Sequence, residues 1–339
     1  MTSIKDTVLN VSVLVILLFS FQVSAQQPRN LVFEGAGVRG LAYAGAVAAL
    51  EERNILGDVK RVGGTSAGAI IALALSLNYN STEIETIVSE MKLQKFNDGR
   101  FFFIGGLSRM RKDYGWYRGE AFLRWLGEII EKKTGTSDIT FAELTNRGFR
   151  QLYVTGTSLN NQRLIVFSSE NYPDMKIKDA VRISMSIPLY FRAVCIDEKG
   201  VVCNCRKSPY ADLVIDGGMT GNYPITMFDS VDASGIRIAN RETLGIKIDT
   251  PEQIESDHNH LGLAPASIRN FRGYLSAFYN YTIENLNRQS LREDDWSRTV
   301  SISSGEIGAR IRKLSPQEKE TLTRNGRQAV EAFLDNHRK

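Results

Sequence analysis

Two glycine-flanked segments carry the side chains best suited to nucleophilic chemistry, and the first of them centres on a serine. It is the G-x-S-x-G segment Gly64-Thr65-Ser66-Ala67-Gly68. A nucleophilic serine must project from a sharp turn, and such a turn tolerates no bulk on either side. A helix following the turn would point its positive end at Ser66 and favour an alkoxide-like state. The segment therefore predicts a nucleophile elbow with Ser66 as the nucleophile.

A serine at its ordinary pKa is a weak nucleophile, so it needs a neighbouring base. Asp216-Gly217-Gly218 offers a carboxylate directly after the apolar run Leu213–Ile215. Open α/β sheets place their ligand sites at the carboxyl ends of strands, which makes Asp216 the predicted base. An alternative is that His258 or His260 is the base and Asp216 orients it, in the order of ordinary α/β hydrolases. The segment around both histidines is, however, typical of a polar surface loop.

A third glycine segment, Gly35-Ala36-Gly37-Val38-Arg39-Gly40, matches the G-x-G-x-x-G pattern of dinucleotide sites. Such a site also needs an acidic residue at the end of the second strand. Here the predicted second strand, Val59–Val62, runs into glycines, and Asp58 precedes it. A tight turn without a ligand is a second interpretation. The third is that backbone N–H groups at a helix start face a developing negative charge, with Arg39 adding positive charge.

Alternating strands and helices must position these segments. Strands separated by helices predict a mainly parallel sheet with helices on both faces. From Pro265 onward the pattern predicts helices, and a capping box with proline in the first helical position starts the last helix at Ser315. The predicted strands are 30–34, 59–62, 152–157, 164–168, 213–215 and 244–248, and the predicted helices include 41–53, 67–77 and 120–133.

The three segments, in this order, resemble the patatin-like phospholipases, a family of lipid acyl hydrolases. That family carries G-G-G-x-[KR]-G, then G-x-S-x-G, then D-G-[GA], and this chain carries EGAGVRG, GTSAG and DGG. Residues Arg182–Pro188 are also similar to the family's segment ahead of the aspartate. The resemblance covers Asn30 to Ile248. It departs from the family at Ala36, which replaces the middle glycine but still offers its N–H if its backbone angles are allowed.

This resemblance implies a three-layer α/β/α sandwich with a mainly parallel central sheet and a helical C-terminal extension. It implies a Ser66–Asp216 dyad that cleaves fatty-acyl esters through an acyl-enzyme, without metal or cofactor. Together with the N-terminal and C-terminal patterns, it predicts a signal peptide (1–25), a catalytic domain (26–250) and a mainly helical extension packed on it (251–339). The implied oxyanion-hole residues are Gly35, Ala36, Gly37, Arg39 and Gly40.

The N-terminus predicts export. Lys5 precedes the apolar stretch Val8–Phe21, and the small residues of Val23-Ser24-Ala25 follow, as in a secretory signal peptide. The protein is expected in the periplasm, in the cell envelope or secreted; an uncleaved membrane anchor is the alternative. The cysteines would then meet an oxidising compartment, where one pair could close a loop. They are Cys195, Cys203 and Cys205.

Composition restricts the partners. The 339 residues are 42% hydrophobic and 24% charged, as in a globular protein, and the net charge of +4 is too small to argue for nucleic acid. Three cysteines and three histidines argue against a zinc or multi-histidine metal centre. Phe101-Phe102-Phe103 and Trp116, interleaved with basic residues, predict either a lipid-surface loop or a core-packing loop. A secreted lipid- or partner-binding module with a degenerate site is the non-enzyme alternative; the oligomeric state stays open.

Overall fold

A computed structural model describes most of the chain after residue 26. The described residues are 27–339 without 92, 100–101, 209, 267, 272, 275–276, 279–280, 282–283, 285–287, 289, 309–311 and 338–339. The expected signal peptide, 1–25, lies outside them, as does Phe101. The side chains of Phe102 and Phe103 also lie outside, so the expected lipid-surface loop is described only in part.

A nine-stranded mixed sheet forms the centre of the molecule, in the order β13-β12-β1-β2-β4-β9-β7-β8, with β5 paired to β4. The strand pairs from β13 to β4 are parallel, and the remaining pairs are antiparallel. Two-stranded sheets join β3 to β6 and β10 to β11. The strands are β1 (Asn30–Phe33), β2 (Arg61–Gly64), β3 (Gly115–Tyr117), β4 (Gln151–Ser158), β5 (Arg163–Phe167), β6 (Leu189–Phe191), β7 (Val194–Ile196), β8 (Val202–Cys203), β9 (Asp212–Asp216), β10 (Ser230–Val231), β11 (Arg237–Ile238), β12 (Thr243–Asp249) and β13 (Thr299–Ser303).

Helices cover the sheet, and α2 is buried along its whole length because it is apolar all round. Within the described residues, no helix has both the length and the apolar character needed to cross a bilayer. The helices with complete bounds are α1 (Ala42–Glu52), α2 (Ala67–Ser76), α3 (Ser81–Glu90), α4 (Phe102–Asp113), α5 (Glu120–Thr134), α6 (Phe141–Asn146), α7 (Ile177–Ser184), α8 (Gly218–Gly221), α9 (Pro251–His258), α10 (Glu293–Trp296) and α11 (Pro316–Asn336), and the 3-10 segments are Gly37–Leu41, Leu93–Phe96 and Ile225–Phe228.

The sheet brings Asp216 to the site in a way that the sequence analysis did not anticipate. We expected a mainly parallel sheet with Asp216 at the carboxyl end of its strand, and Asp216 does end β9. However, β9 runs antiparallel to β4, where Asp216 pairs with Gly156, while Gly64 on the other side of β4 pairs with Val154. Because β9 enters from beyond the carboxyl edge of β4 and ends after five residues, Asp216 still stops near the level of the elbow.

The C-terminal part, expected to be mainly helical, also contributes a strand to the central sheet. The segment β13 pairs in parallel with β12 and extends the central sheet. The last helix begins where predicted, because the Ser315 hydroxyl accepts from the Glu318 N–H. It packs closely on α1: a Cβ at Gly45 would lie 1.8 Å from the Thr323 carbonyl oxygen, and one at Gly326 would lie 1.9 Å from that of Ala42. The C-terminal extension is thus built into the domain.

Candidate active site

Ser66 occupies a strained turn between β2 and α2. Its φ of 51° and ψ of −119° are unfavourable for a residue with a side chain. The flanking glycines are required by close backbone approach: a Cβ at Gly64 would lie 2.5 Å from the Gly68 carbonyl group, and one at Gly68 would lie 2.4 Å from the Phe33 carbonyl oxygen. The geometry is that of a nucleophile elbow, with Ser66 at the N-terminus of a ten-residue helix.

The Ser66 hydroxyl has two acceptors within reach. It donates to the Met185 Sδ at 3.3 Å, and it lies near enough to the Asp216 carboxyl to lower the pKa of that group. A hydroxyl has one proton, so it donates to one acceptor at a time, and a thioether is the weaker acceptor. The Ser66 N–H donates to the Ser184 Oγ at 2.9 Å, which fixes the backbone of the turn.

Asp216 is buried, and its environment holds few charges. Burial raises the pKa of its carboxyl from 3.8 to about 7, although hydrogen bonds from the Gly218 N–H and the Ser66 hydroxyl lower it part of the way. The Gly218 N–H donates to Oδ1 at 2.7 Å. A carboxyl with a pKa near neutrality can accept a proton in the physiological range, which an ordinary aspartate does poorly.

The backbone of Asp216 is held from two sides. Its N–H donates to the Ser186 carbonyl oxygen at 3.1 Å, and its carbonyl accepts from the Thr157 hydroxyl at 2.8 Å. Ser186 is positioned in turn by the buried guanidinium of Arg182, which donates to its Oγ at 2.6 Å. The segment 184–186 thus contacts both Ser66 and Asp216.

The glycine loop lies next to Ser66, since a Cβ at Gly35 would lie 3.3 Å from the Ser66 Cβ. The loop continues as a 3-10 helix from Gly37, and the first N–H groups of a helix have no acceptor within it. Ala36 has a φ of −132°, which any residue adopts, so alanine is accommodated there, whereas Gly37 has a φ of 57°. Arg39 is half-buried, and its Nε donates to the Ala36 carbonyl at 3.4 Å.

Two of the expected oxyanion-hole residues, Gly35 and Arg39, have N–H groups that are already engaged, and the Arg39 N–H donates to the Ala36 carbonyl oxygen at 3.2 Å. The Gly35 N–H donates to the Asn222 carbonyl oxygen at 3.0 Å, and the Asn222 Nδ2 donates back to the Gly35 carbonyl oxygen at 2.9 Å. The contacts of Gly35 hold the start of the loop. Asn222 follows the short helix α8, so it connects the glycine loop to the Asp216 segment.

A cluster of buried charges lies behind the glycine loop, at the end of β12. Lys247 is almost fully buried and its Nζ lies 2.7 Å from Glu34 and 2.8 Å from Asp249. Arg288 adds a second cation 3.0 Å from Asp249. Glu34 directly precedes Gly35, so this cluster fixes the end of β1 from which the loop departs.

The remaining candidate residues lie apart from Ser66 or serve packing. His258 ends α9 instead of lying in the expected loop, and both His258 and His260 are exposed. Trp116 is half-buried, and a Cβ at Gly106 would lie 2.4 Å from its ring, so the ring packs directly on backbone. Gly217 and Gly40 also mark close contacts, with Thr155 and Ala67 respectively.

The cysteines form one disulfide, Cys195–Cys205, and the thiol of Cys203 is free. Cys203 lies opposite Cys195 in the β7–β8 pair, so proximity alone did not decide the pairing. No group of three His, Cys, Asp or Glu side chains within the described part of the chain is arranged to hold a metal ion.

Sequence reasoning missed three residues that contact the site: Ser184, Met185 and Asn222. The first two lie in the segment that the resemblance had singled out without assigning roles. Asn222 had no local signal, since it contacts Gly35 across 187 positions of sequence.

Comparison with known proteins gives consistent findings. The model of the patatin-like phospholipase family matches residues 31–229. Protein R571 of Acanthamoeba polyphaga mimivirus is 31% identical over 222 residues, which is 65% of this chain and 68% of that protein. Probable lipid hydrolase 463L of Invertebrate iridescent virus 6 is 25% identical over 210 residues, 61% of this chain and 65% of that protein.

Among solved structures, VipD from Legionella pneumophila matches with a TM-score of 0.56 and 16% identity, over 92% of this chain and 67% of VipD. At this identity the match shows a shared fold. The family match is more specific, because it includes the glycine loop, Ser66 and Asp216 and spans more than half of the 339 residues. This chain belongs to the patatin-like phospholipase family.

Proposed function

We propose that the protein is a serine hydrolase that cleaves fatty-acyl esters of lipids through Ser66 and Asp216. The observation that carries the proposal is a serine in a strained turn whose hydroxyl influences a buried carboxyl with a pKa of about 7. Family membership and the relative described as a probable lipid hydrolase support the substrate class.

The reaction proceeds in two steps. Asp216 accepts the Ser66 proton as the Ser66 oxygen attacks the ester carbonyl, and the N–H groups of the glycine loop stabilise the oxyanion. The alcohol part leaves with that proton. Asp216 then accepts a proton from water, whose oxygen attacks the acyl-enzyme, and the fatty acid is released while Ser66 regains its proton.

A fluorophosphonate probe tests this proposal on the mature chain. The probe should label the wild type, and Ser66→Ala should remove the label. Ser76→Ala is a matched control, because Ser76 is a buried serine at the end of the same helix whose hydroxyl donates to the Leu73 carbonyl. Ester hydrolysis should disappear only in Ser66→Ala. An unlabelled wild type would favour the binding module, and labelling of Ser66→Ala would exclude Ser66 as the nucleophile.

Replacement of both His258 and His260 by alanine distinguishes a Ser66–Asp216 dyad from a triad in which a histidine is the base and Asp216 orients it. Full activity in this variant leaves Asp216 as the base, whereas loss of activity without loss of folding would place a histidine in the mechanism.

We also propose that the protein works outside the cytoplasm. The Cys195–Cys205 disulfide supports this location, because disulfides persist in oxidising compartments. Fractionation of cells that produce the full chain, with the N-terminus of the exported form sequenced, tests both export and cleavage near residue 25.

A further inference from the structure

A groove opens beside the glycine loop, on the side towards α3 and the start of α11. Its empty space is about 700 Å³, which includes space open to solvent. The 3-10 segment after Gly37 and the first turns of α2 form one side, and the end of α3 with the segment before α11 forms the other. Its lining residues are Gly37, Val38, Gly40, Leu41, Ala67, Ile70, Val88, Ser89, Met91, Arg312, Lys313, Leu314 and Lys319.

The groove begins next to the nucleophile. Ala67 follows Ser66 in the chain, and Gly37 belongs to the loop whose N–H groups would face the oxyanion. A Cβ at Gly40 would lie 3.0 Å from the Ala67 Cβ, so the glycine segment and the start of α2 are in contact there. The groove lining thus includes the residue that follows Ser66 and part of the glycine loop.

The lining favours an apolar occupant. Seven of its side chains are aliphatic or methionine. Of the three cations in the lining, Arg312 and Lys319 have protein partners, and Lys313 is exposed to solvent. Arg312 pairs with Glu318, and Lys319 donates to the Ser89 carbonyl oxygen at 2.6 Å. These contacts leave the walls to hydrophobic burial, which amounts to about 0.8 kcal/mol for each CH₂ group removed from water.

We propose that this groove holds the acyl chain of the substrate and that its far wall, around Leu314, sets the preferred chain length. The inference rests on the proposed function, since it assumes an acyl ester at Ser66. Residues 312–319 lie beyond the region 31–229 that the family model matches.

Filling the groove tests the proposal. Val88→Phe should lower kcat/KM for monomeric p-nitrophenyl palmitate about tenfold or more, while kcat/KM for the butyrate ester stays near the wild-type value. The matched control is Ile87→Phe: Ile87 is the neighbouring residue of α3, half-buried against the core and outside the groove lining. This control should leave the ratio of palmitate to butyrate activity unchanged.

Enlarging the groove is the second test. Leu314→Ala should shift the optimum towards longer chains, measured over a series of p-nitrophenyl esters. An unchanged chain-length profile in both folded groove variants, with butyrate still hydrolysed, would overturn the acyl groove and leave the hydrolase intact. A parallel loss of both activities in Val88→Phe alone would assign Val88 a structural role and also count against the groove. Absence of hydrolysis of every ester by the wild type would instead refute the proposed function itself.

Discussion

Two buried aspartates near the same edge of the sheet have opposite acidities. Burial raises the pKa of Asp216 to about 7. Burial would also raise the pKa of Asp249, but Lys247 and Arg288 outweigh that effect and hold it at about 2. Asp216 ends β9, Asp249 ends β12, and both are buried, so burial alone does not decide which carboxyl can act as a base.

The difference lies in the partners of each carboxylate. Asp249 faces two cations at 2.8 and 3.0 Å, whereas Asp216 receives hydrogen bonds from a backbone N–H and a hydroxyl. A cation fixes the negative charge, so the carboxylate becomes a permanent structural ion. Neutral donors stabilise the charge only in part, so the carboxyl stays able to gain and lose a proton near neutral pH. A reactive site and a rigid support can thus be built from the same residue type.

The strongest test of this contrast is Asp216→Asn. Activity should fall by about four orders of magnitude, because an amide cannot accept the Ser66 proton. Stability should change in the opposite sense. The folded protein binds the Asp216 proton more tightly than the unfolded chain does, so Asp216 lowers the free energy of unfolding as pH rises from about 4 to 7. The variant should therefore be more stable than the wild type at pH 8, by up to about 4 kcal/mol.

Urea denaturation at pH 8 and at pH 4 measures that difference, which should shrink towards zero at the lower pH. A variant that is inactive but less stable than the wild type at pH 8 would contradict the assignment of Asp216 as a destabilised, reactive carboxylate.

Replacement of Asp249 by asparagine should destabilise the protein, in contrast to Asp216→Asn. Asp249→Asn leaves Lys247 and Arg288 without one of their buried counter-charges, so the free energy of unfolding should fall by about 3 to 5 kcal/mol. Asp249 helps to raise the pKa of Glu34, in the same cluster, to about 7, so the two aspartate variants should be compared at pH 8, where both carboxyl groups are ionised in the wild type. Denaturation of both variants under identical conditions gives the comparison; equal effects on stability would remove the distinction between the two sites.

The pH dependence of the wild type sharpens the contrast further. Asp216 must be ionised to accept a proton, so kcat/KM should fall about tenfold for each pH unit below roughly 7, a loss of about 100-fold by pH 5. Asp249 stays ionised throughout and adds nothing to the profile. Esters of constant charge should be used, with far-UV circular dichroism at each pH to verify folding. An acid limb centred near pH 4 would show that Asp216 is an ordinary carboxylate in the working enzyme.

Local sequence predicted the local parts of this site well. The glycines around Ser66 are demanded by backbone contacts within one turn, and the Ser315 cap is formed by residues three apart, so short patterns were sufficient. The α2 helix was predictable because every residue of it is apolar or small and buried.

The parts that failed depend on distant pairing. The direction of β9 is set by β4 and β7, and a short apolar run has no mark that distinguishes a parallel from an antiparallel strand. The β13 segment was overlooked inside a helical region, although its alternation of β-branched residues and serine is typical of a strand. The charges around Lys247 come together from segments more than 200 positions apart, such as Glu34 and Lys247.

Asn222 is the distant contact with a direct consequence for catalysis. The Asn222 side-chain amide donates to the Gly35 carbonyl, and the Asn222 main-chain carbonyl accepts from the Gly35 N–H. Asn222→Ala removes the first of these hydrogen bonds, so the glycine loop should shift, and kcat should fall by about 10- to 100-fold with little change in KM. Asn240→Ala is the matched control: Asn240 is half-buried and donates to the Phe228 carbonyl, so it should lose stability but keep kcat. Steady-state kinetics with a butyrate ester measure both. If Asn222→Ala lowers the melting temperature but retains wild-type kcat, the hydrogen bonds between Asn222 and Gly35 stabilise the fold and are not needed for catalysis.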